Sequence, residues 1–414
     1  MTQRVVALLP LYVALYDEAV PEVRPRIDAY CDEVRRALEA TGLTVVAAPV
    51  CRLAAEIEQA VASFEDAAVD AIVSVHLAYS PSLEAEEALS RTLLHLILLD
   101  TTPSASFDEG TDPEDLMLNH GIHGVQDLCN RLVRRGKRFQ IHAGHLTESD
   151  VLDRVRRSVD GAAIVRSLRT ARVGLVGDVF AGMGDFRVDF DELQAQLGPT
   201  VVRAEGGLPR ASDISDAAVE AELVADRERF ESDQDGWAAH RASLRAGLAL
   251  RQWVADQELT ALTVNFLATS LDDPMLPAMP FVECSSLMAR GIGYAGEGDV
   301  LTAAWVSAVM KVFRATTFTE MFCPDWRGDA VFLSHMGEVN YEVTEGRPVL
   351  RRLPFPYTDA ADPSVGYASL RSGPATMVNL APLGSGQYRL TLAPGEMRAV
   401  RQPNRLATLM NGWF

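Results

Sequence analysis

Hydrophobic and polar positions along the N-terminal stretch fall into two alternating textures. Arg4–Leu9, Thr44–Ala48, Ala71–Val75 and Leu93–Leu99 are short runs dominated by apolar residues. Between them, Pro25–Ala40 places Ile27, Tyr30, Cys31, Val34 and Leu38 at helical spacing, and Leu53–Phe64 does the same. Strands that are apolar on both faces, alternating with amphipathic helices, predict a parallel sheet covered on both sides. The texture returns after a helical stretch over Glu148–Leu168 and a linker at Arg166–Thr170. Arg172–Val176 reads as a strand, Asp189–Leu197 as a helix, Ala217–Asp256 as strongly helical and charge-rich, Ala261–Leu267 as a strand and Gly298–Phe313 as an apolar helix. Beyond Phe318 the pattern changes to short strands and Gly/Pro-rich turns, with alternation in Thr376–Leu380 and Tyr388–Leu392. The expected architecture is α/β: two Rossmann-like, doubly wound parallel-sheet domains (1–169 and 170–315) and a smaller β-rich, barrel-like C-terminal domain (316–414). Ligands of such sheets bind beyond the carboxyl ends of the strands.

Composition narrows the partners. Among 414 residues, 57 Asp+Glu outweigh 38 Lys+Arg for a formal charge of −19. A surface this acidic repels phosphates and anionic lipid, which argues against nucleic acid and membrane and favours an uncharged small molecule or a divalent cation. Five widely spaced cysteines with no CxxC pair read as free thiols of a reducing compartment. The first residues lack the basic start of a signal peptide, so a cytoplasmic protein is expected.

Three segments could carry chemistry. Gly177–Asp185, GDVFAGMGD, joins a strand to a helix without the spacing of a dinucleotide fingerprint. It is either a plain tight turn or a loop offering Met183 and Phe186 to a ligand. The second segment is Asn119–Gly124, NHGIHG, followed by His142 and His145. His120 and His123 could share a helix face, and His123 could bind metal, shuttle a proton or hydrogen-bond a hydroxyl. His142 and His145 are as readily structural. The third comprises GIGYAGEGD (291–299), TFTEMF (317–322) and LSHM (333–336). Glu297 stands between two glycines, and Glu320 sits beside Phe318, Met321 and Phe322, where a carboxylate would be desolvated unless paired or metal-bound. Two carboxylates and an imidazole suit Mn²⁺ or Mg²⁺, although a surface glutamate and a core histidine would leave the same pattern.

At these segments the sequence resembles the L-arabinose/L-fucose isomerase family. GIGYAGEGDVLTAA is similar to the family's Glu-Gly-Asp block, FTEMF and LSHMGEVN to its second glutamate and His-Met segment, LNHGIHG to its His-Gly segment, and GDVFAGMGDFRVD to its middle-domain loop. The blocks stand in family order. The resemblance implies a homo-oligomeric (trimer or hexamer) aldose–ketose isomerase acting on a pentose or 6-deoxyhexose through an ene-diol, with Mn²⁺ or another divalent cation such as Mg²⁺ or Co²⁺. It makes Glu297 and Glu320 catalytic, Glu297, Glu320 and His335 metal ligands, and His123, Met183 and His120 sugar contacts. Two departures accompany it. The family's fourth ligand is a histidine near the C-terminus, whereas no histidine follows His335 here, and a chain cut short of that segment is the expectation. LLPLYVALYD replaces the family's Gly-Ser-Gln-His-Leu-Tyr pattern, and His120 stands where arabinose isomerase has glutamine, so the sugar need not be arabinose. The alternative is a non-catalytic sugar-binding or regulatory homologue that has lost full metal coordination.

Overall fold

The structure is a computed structural model describing residues 4–205 and 207–414. The chain divides after Arg166 into two compact units. In the first, strands β1 (Val5–Leu11), β2 (Thr44–Ala47), β3 (Ala71–His76), β4 (His95–Asp100) and β5 (Gln140–Ala143) form one parallel sheet in the order β2-β1-β3-β4-β5. Period-two alternation sends Val6, Leu8, Val73, Val75, Ile97 and Leu99 to one face, against Ile27, Val34 and Leu38 and against Val151, Val155 and Val159. Ala7, Leu9, Ile72, Leu96 and Leu98 go to the other, against Ile57, Phe64, Leu89, Leu128 and Leu132. Both faces of the central strands β1, β3 and β4 are thus dry, which is why these strands read as unbroken apolar runs. Strand order reverses between β1 and β3, so the crevice for a ligand lies beyond their carboxyl ends, where His76 closes β3.

The second unit begins with β6 (Arg172–Val176) and β7 (Thr200–Arg203), followed by a two-residue β8 (Glu231–Ser232), β9 (Ala261–Val264) and β10 (Gly293–Gly296). Four of these make a parallel sheet in the order β10-β9-β6-β7, while β8 lies elsewhere. The remainder is built from β11 (Glu320–Asp325), β12 (Ala330–Ser334), β13 (Thr344–Arg352), β14 (Ser364–Leu370), β15 (Gly373–Gly384), β16 (Gln387–Met397) and β17 (Gly412–Trp413). They form two three-stranded sheets, β11-β12-β17 and β14-β13-β8, and the hairpin β15-β16. The fold is α/β with parallel sheets.

The stretch expected to be helical, Ala217–Asp256, is helical with one interruption: it forms two helices, Asp216–Arg229 and Gln234–Asp256. Phe230 turns its ring into the core, and β8 pairs with Val349 and Leu350 of β13. Asp233 then caps the second helix by accepting a hydrogen bond from the Gly236 N–H at 2.8 Å. Helical propensity is overridden by one strand pairing and one cap. The apolar helix expected over Gly298–Phe313 is shorter, Val300–Met310, and is buried along nearly its whole circumference. Among the described residues, no helix is long and apolar enough to cross a membrane.

Candidate metal centre

β10 ends at Gly296, and the chain turns sharply through Glu297 (φ 63°) and Gly298 (φ 87°). The left-handed region costs a glutamate on the order of 1–3 kcal/mol, so the turn is held by its surroundings. The Glu297 N–H donates to the Val264 carbonyl at 3.0 Å, and the Glu297 carbonyl accepts from the Phe180 N–H at 2.9 Å. Thr263 Oγ1 donates to the Gly296 carbonyl and accepts from the Gly298 N–H. Gly298 has to be glycine on a second ground: a Cβ there would lie 2.6 Å from the Val179 Cα. Asp299 closes the turn as N-cap of Val300–Met310, its carboxylate accepting from the Thr302 N–H at 2.8 Å. Burial pushes the Asp299 carboxyl up to about 6.

Glu320 opens β11 and pairs across the ladder with Ser334, the last residue of β12. The residue after Ser334 is His335, so this register brings the imidazole to the glutamate. Phe318 packs edge-on against the His335 ring at 4.8 Å between centroids. On another side is Gly296, where a Cβ would come within 2.9 Å of Cε1 and 3.2 Å of Nε2. One ligand atom from each of Glu297, Glu320 and His335 falls within 4.8 Å of the others. The apolar flank expected to desolvate Glu320 does not do so: Met321 is 68% exposed and Phe322 is also exposed, and only Phe318 turns inward.

A second layer stands behind the histidine. His335 Nδ1 and Glu338 Oε2 are 2.6 Å apart, and the Tyr294 hydroxyl donates to Glu338 Oε1 at 2.7 Å. All three side chains are buried. Burial alone would lower the His335 pKa, but the carboxylates of Glu338, Glu320 and Glu297 outweigh it and push it up to about 9. Burial works to raise Glu338, yet His335 and the Tyr294 hydroxyl hold its carboxyl below the usual range. Burial also raises Glu297, with the neighbouring carboxylates adding to it and His335 opposing. With Nδ1 engaged by Glu338, the imidazole has Nε2 left for a ligand. This is how metal-binding histidines are commonly oriented. Two carboxylates and an imidazole nitrogen are a donor set for a hard or borderline divalent ion, so the residues present fit Mn²⁺, Mg²⁺ or Co²⁺. Glu338 and Tyr294 lay inside the blocks singled out from the sequence but had been given no role. The usable signal was a carboxylate three residues after a candidate histidine.

Met183 lies half-buried in the loop between β6 and the helix Phe190–Leu197. That loop is tied to the Glu297 turn by the Phe180 bond and to Asn265, whose Nδ2 donates to the Asp178 carbonyl at 2.6 Å. Phe186 is buried rather than offered to a ligand.

His120 and His123 belong to the first unit. His120 precedes the helix Gly121–Arg134 and His123 lies in its first turn, their rings 5.6 Å apart. The Tyr79 ring is 5.0 Å from His123. Around the carboxyl ends of β1 and β3, the buried Tyr12 hydroxyl, Ser74 and Ser80 hydroxyls, His76 Nδ1 and His120 Nδ1 have no hydrogen-bond partner. Buried polar atoms left unpaired are costly, so these atoms are open to hydrogen-bonding groups from outside the edge. His142 bonds Ser158 at 2.8 Å within the first unit, a structural contact.

Residues 208–315 match the family model described as the L-arabinose isomerase central domain. Over nearly its whole length the chain is also similar to proteins named L-arabinose isomerase. That from Acidothermus cellulolyticus is 29% identical, covering 91% of this chain and 81% of its own length. Both findings support the L-arabinose isomerase family as the one this chain resembles. The family relative from a Nocardioides species is 26% identical over 92% of this chain and 79% of its own, and that from Thermotoga petrophila 25% over 84% and 72%. The matched central-domain segment contains the Glu297 turn and its helix. Glu320, His335 and Glu338 lie beyond it, within the stretch shared with the full-length relatives.

Proposed function

We propose that this protein is a metal-dependent aldose–ketose isomerase acting on a pentose or 6-deoxyhexose of the L-arabinose/L-fucose type. The observation that carries the reading is the convergence of Glu297, Glu320 and His335, with Glu338 orienting the imidazole. A bound divalent ion would be held by those three side chains and would acidify the C2–H bond by polarising the neighbouring oxygens. The protein's own groups handle the protons. One of the two glutamates removes the C2 proton, and a double bond forms between C1 and C2 as the C1 oxygen takes up a proton. The ene-diol collapses when the O2 proton leaves and the carboxyl returns a proton to C1, giving the ketose. His120 and His123 are offered as hydroxyl-binding groups, and Met183 as an apolar contact to the sugar. An uncharged sugar suits a chain of charge −19, which would repel an anionic substrate.

The test is proton exchange at C2 followed by NMR in D₂O, with Mn²⁺ and a panel of aldopentoses and 6-deoxyhexoses. Deuterium incorporation with ketose appearing, abolished by EDTA and by Glu297→Gln or Glu320→Gln, is the expected result. Binding of a sugar without exchange in the presence of saturating Mn²⁺ would instead establish the non-catalytic reading.

A further inference from the structure

On a strongly acidic chain, one cleft of the second unit collects positive charge. It has a volume of about 450 Å³ and is lined by Arg229, Arg290 and Arg347, with Phe230, Tyr341 and Ser286 among its walls. Arg229 and Arg290 are partly neutralised. Arg229 Nη1 bonds Glu222 and Asp226, and Arg290 bonds Glu283 and Glu222. Arg251 divides itself between Glu222 and Glu283. Arg347 is different. Its Nη2 donates to the carbonyls of Arg227 and Phe230 at 2.9 and 2.8 Å, and among the described residues no carboxylate pairs with it. Three guanidiniums, those of Arg229, Arg251 and Arg290, therefore share three carboxylates, one of which, Asp226, is also engaged by His240, and Arg347 is the cation left over. Ser286 adds a second, independent sign. The residue is only 7% exposed and lines the cleft, yet its hydroxyl makes no hydrogen bond among the described residues. An unbonded hydroxyl beside an uncompensated guanidinium is half of an anion site.

We propose that this cleft binds the phosphoryl dianion of a small molecule, either a phosphomonoester or free phosphate. The Arg347 guanidinium, with no carboxylate partner and with N–H groups beyond the Nη2 that meets the two carbonyls, offers charge-assisted donors to phosphoryl oxygens; the unengaged N–H groups of Arg229 add to it, and the Ser286 hydroxyl supplies one neutral donor. Phe230 and Tyr341 give the apolar wall that the organic part of an ester would cover. The site is distinct from the Glu297–Glu320–His335 centre and does not rest on the sugar chemistry proposed for it. Its position is still informative. Ser285, the neighbour of Ser286, donates to the Gly337 carbonyl and accepts from the Val339 N–H, clasping the segment that carries His335 and Glu338.

The test is calorimetric titration of the full chain with ribose 5-phosphate, inorganic phosphate and ribose, each with Mg²⁺ and after EDTA. Saturable binding of ribose 5-phosphate, displaced by phosphate, weakened by salt and unchanged by EDTA is expected, with no heat from ribose. An ester that binds more tightly than phosphate identifies a phosphorylated metabolite, and equal affinities identify the anion itself. Arg347→Gln should weaken binding by about tenfold or more, and Ser286→Ala by about threefold. The second variant removes no helix cap and so separates binding from folding. Failure of both phosphoryl probes to bind at millimolar concentration would overturn the proposal. So would affinity unchanged in both variants, or binding lost with the metal.

Discussion

Replacing Glu338 by glutamine tests whether the buried carboxylate, and not merely its shape, prepares His335 for a ligand. Glu338 and His335 are 3% and 6% exposed, so the interaction takes place out of water. Glutamine keeps the volume and can still meet both the Tyr294 hydroxyl and His335 Nδ1, but only as a neutral partner. A hydrogen bond to a charged group contributes about 1.5–3 kcal/mol and a neutral one about 0.5–1.5, so the change removes about 1–2 kcal/mol from the imidazole's support. Orienting partners of metal-binding histidines, when removed, typically cost about 10–100-fold in affinity or activity. Glu338→Gln is therefore expected to lower Mn²⁺ affinity and C2-proton exchange by about that factor, with circular dichroism unchanged and only a small fall in melting temperature. Glu338→Ala is a different experiment. It strands the imidazole in a buried pocket without its counter-charge, a loss on the order of 3–5 kcal/mol that appears mainly as unfolding. Equilibrium dialysis with Mn²⁺ and the D₂O exchange assay read the two variants side by side. A folded Glu338→Gln protein with wild-type Mn²⁺ affinity and wild-type exchange would refute the assignment of Glu338 as the group that positions His335.

Three further outcomes follow from packing and burial. Gly298→Ala forces a side chain into a φ of 87° and against Val179, and should lose about 2 kcal/mol or more of stability and most of the exchange activity; thermal melts and the D₂O assay check it. Gly124→Ala would place a Cβ 2.5 Å from the His76 ring and 3.0 Å from the Ser80 nitrogen, so a loss of about 1–3 kcal/mol is expected in urea unfolding. Burial pushes His76 down to about 4, with Asp127 opposing. The unfolded chain therefore binds a proton that the folded chain refuses. Stability is fully present above pH 6.5 and falls towards pH 4 by about 1.4 kcal/mol per pH unit from this group. His76→Asn should flatten that limb of the pH–stability curve, and an unchanged slope would count against the buried neutral imidazole.

The sheets were legible because they are covered on both faces. A strand such as Ala71–His76, buried at every position, has no polar face to hide in the pattern, and the helices beside it repeat their apolar residues at helical spacing. The break at Phe230–Asp233 was not legible, because it depends on β13, more than a hundred residues away, pairing with β8. Individual residue types pointed correctly to Glu297, Glu320 and His335 as a set that could meet. Their meeting rests on a register, Glu320 opposite Ser334, that no local pattern contains. The apolar letters around Glu320 misled for a related reason. On the outer strand β11 positions 321–324 are all exposed, so Met321 and Phe322 give little shelter to the carboxylate.

Glu297 shows most directly why the site is built as it is. A glutamate in the left-handed region is an unfavourable local choice, and glycine could occupy it without strain. The fold nevertheless surrounds that residue with fixed supports: Val264 and Phe180 bond its backbone, Thr263 holds the residues on either side, and Gly298 leaves no room for the turn to relax towards Val179. Strain of this kind persists where the surroundings over-determine it, and at Glu297 it sets the carboxylate beside Glu320 and His335. Glu297→Gly should therefore stabilise the fold or leave it unchanged while eliminating C2 exchange. A destabilisation of several kcal/mol would show instead that the carboxylate serves the fold, and the argument from strain to function would fail.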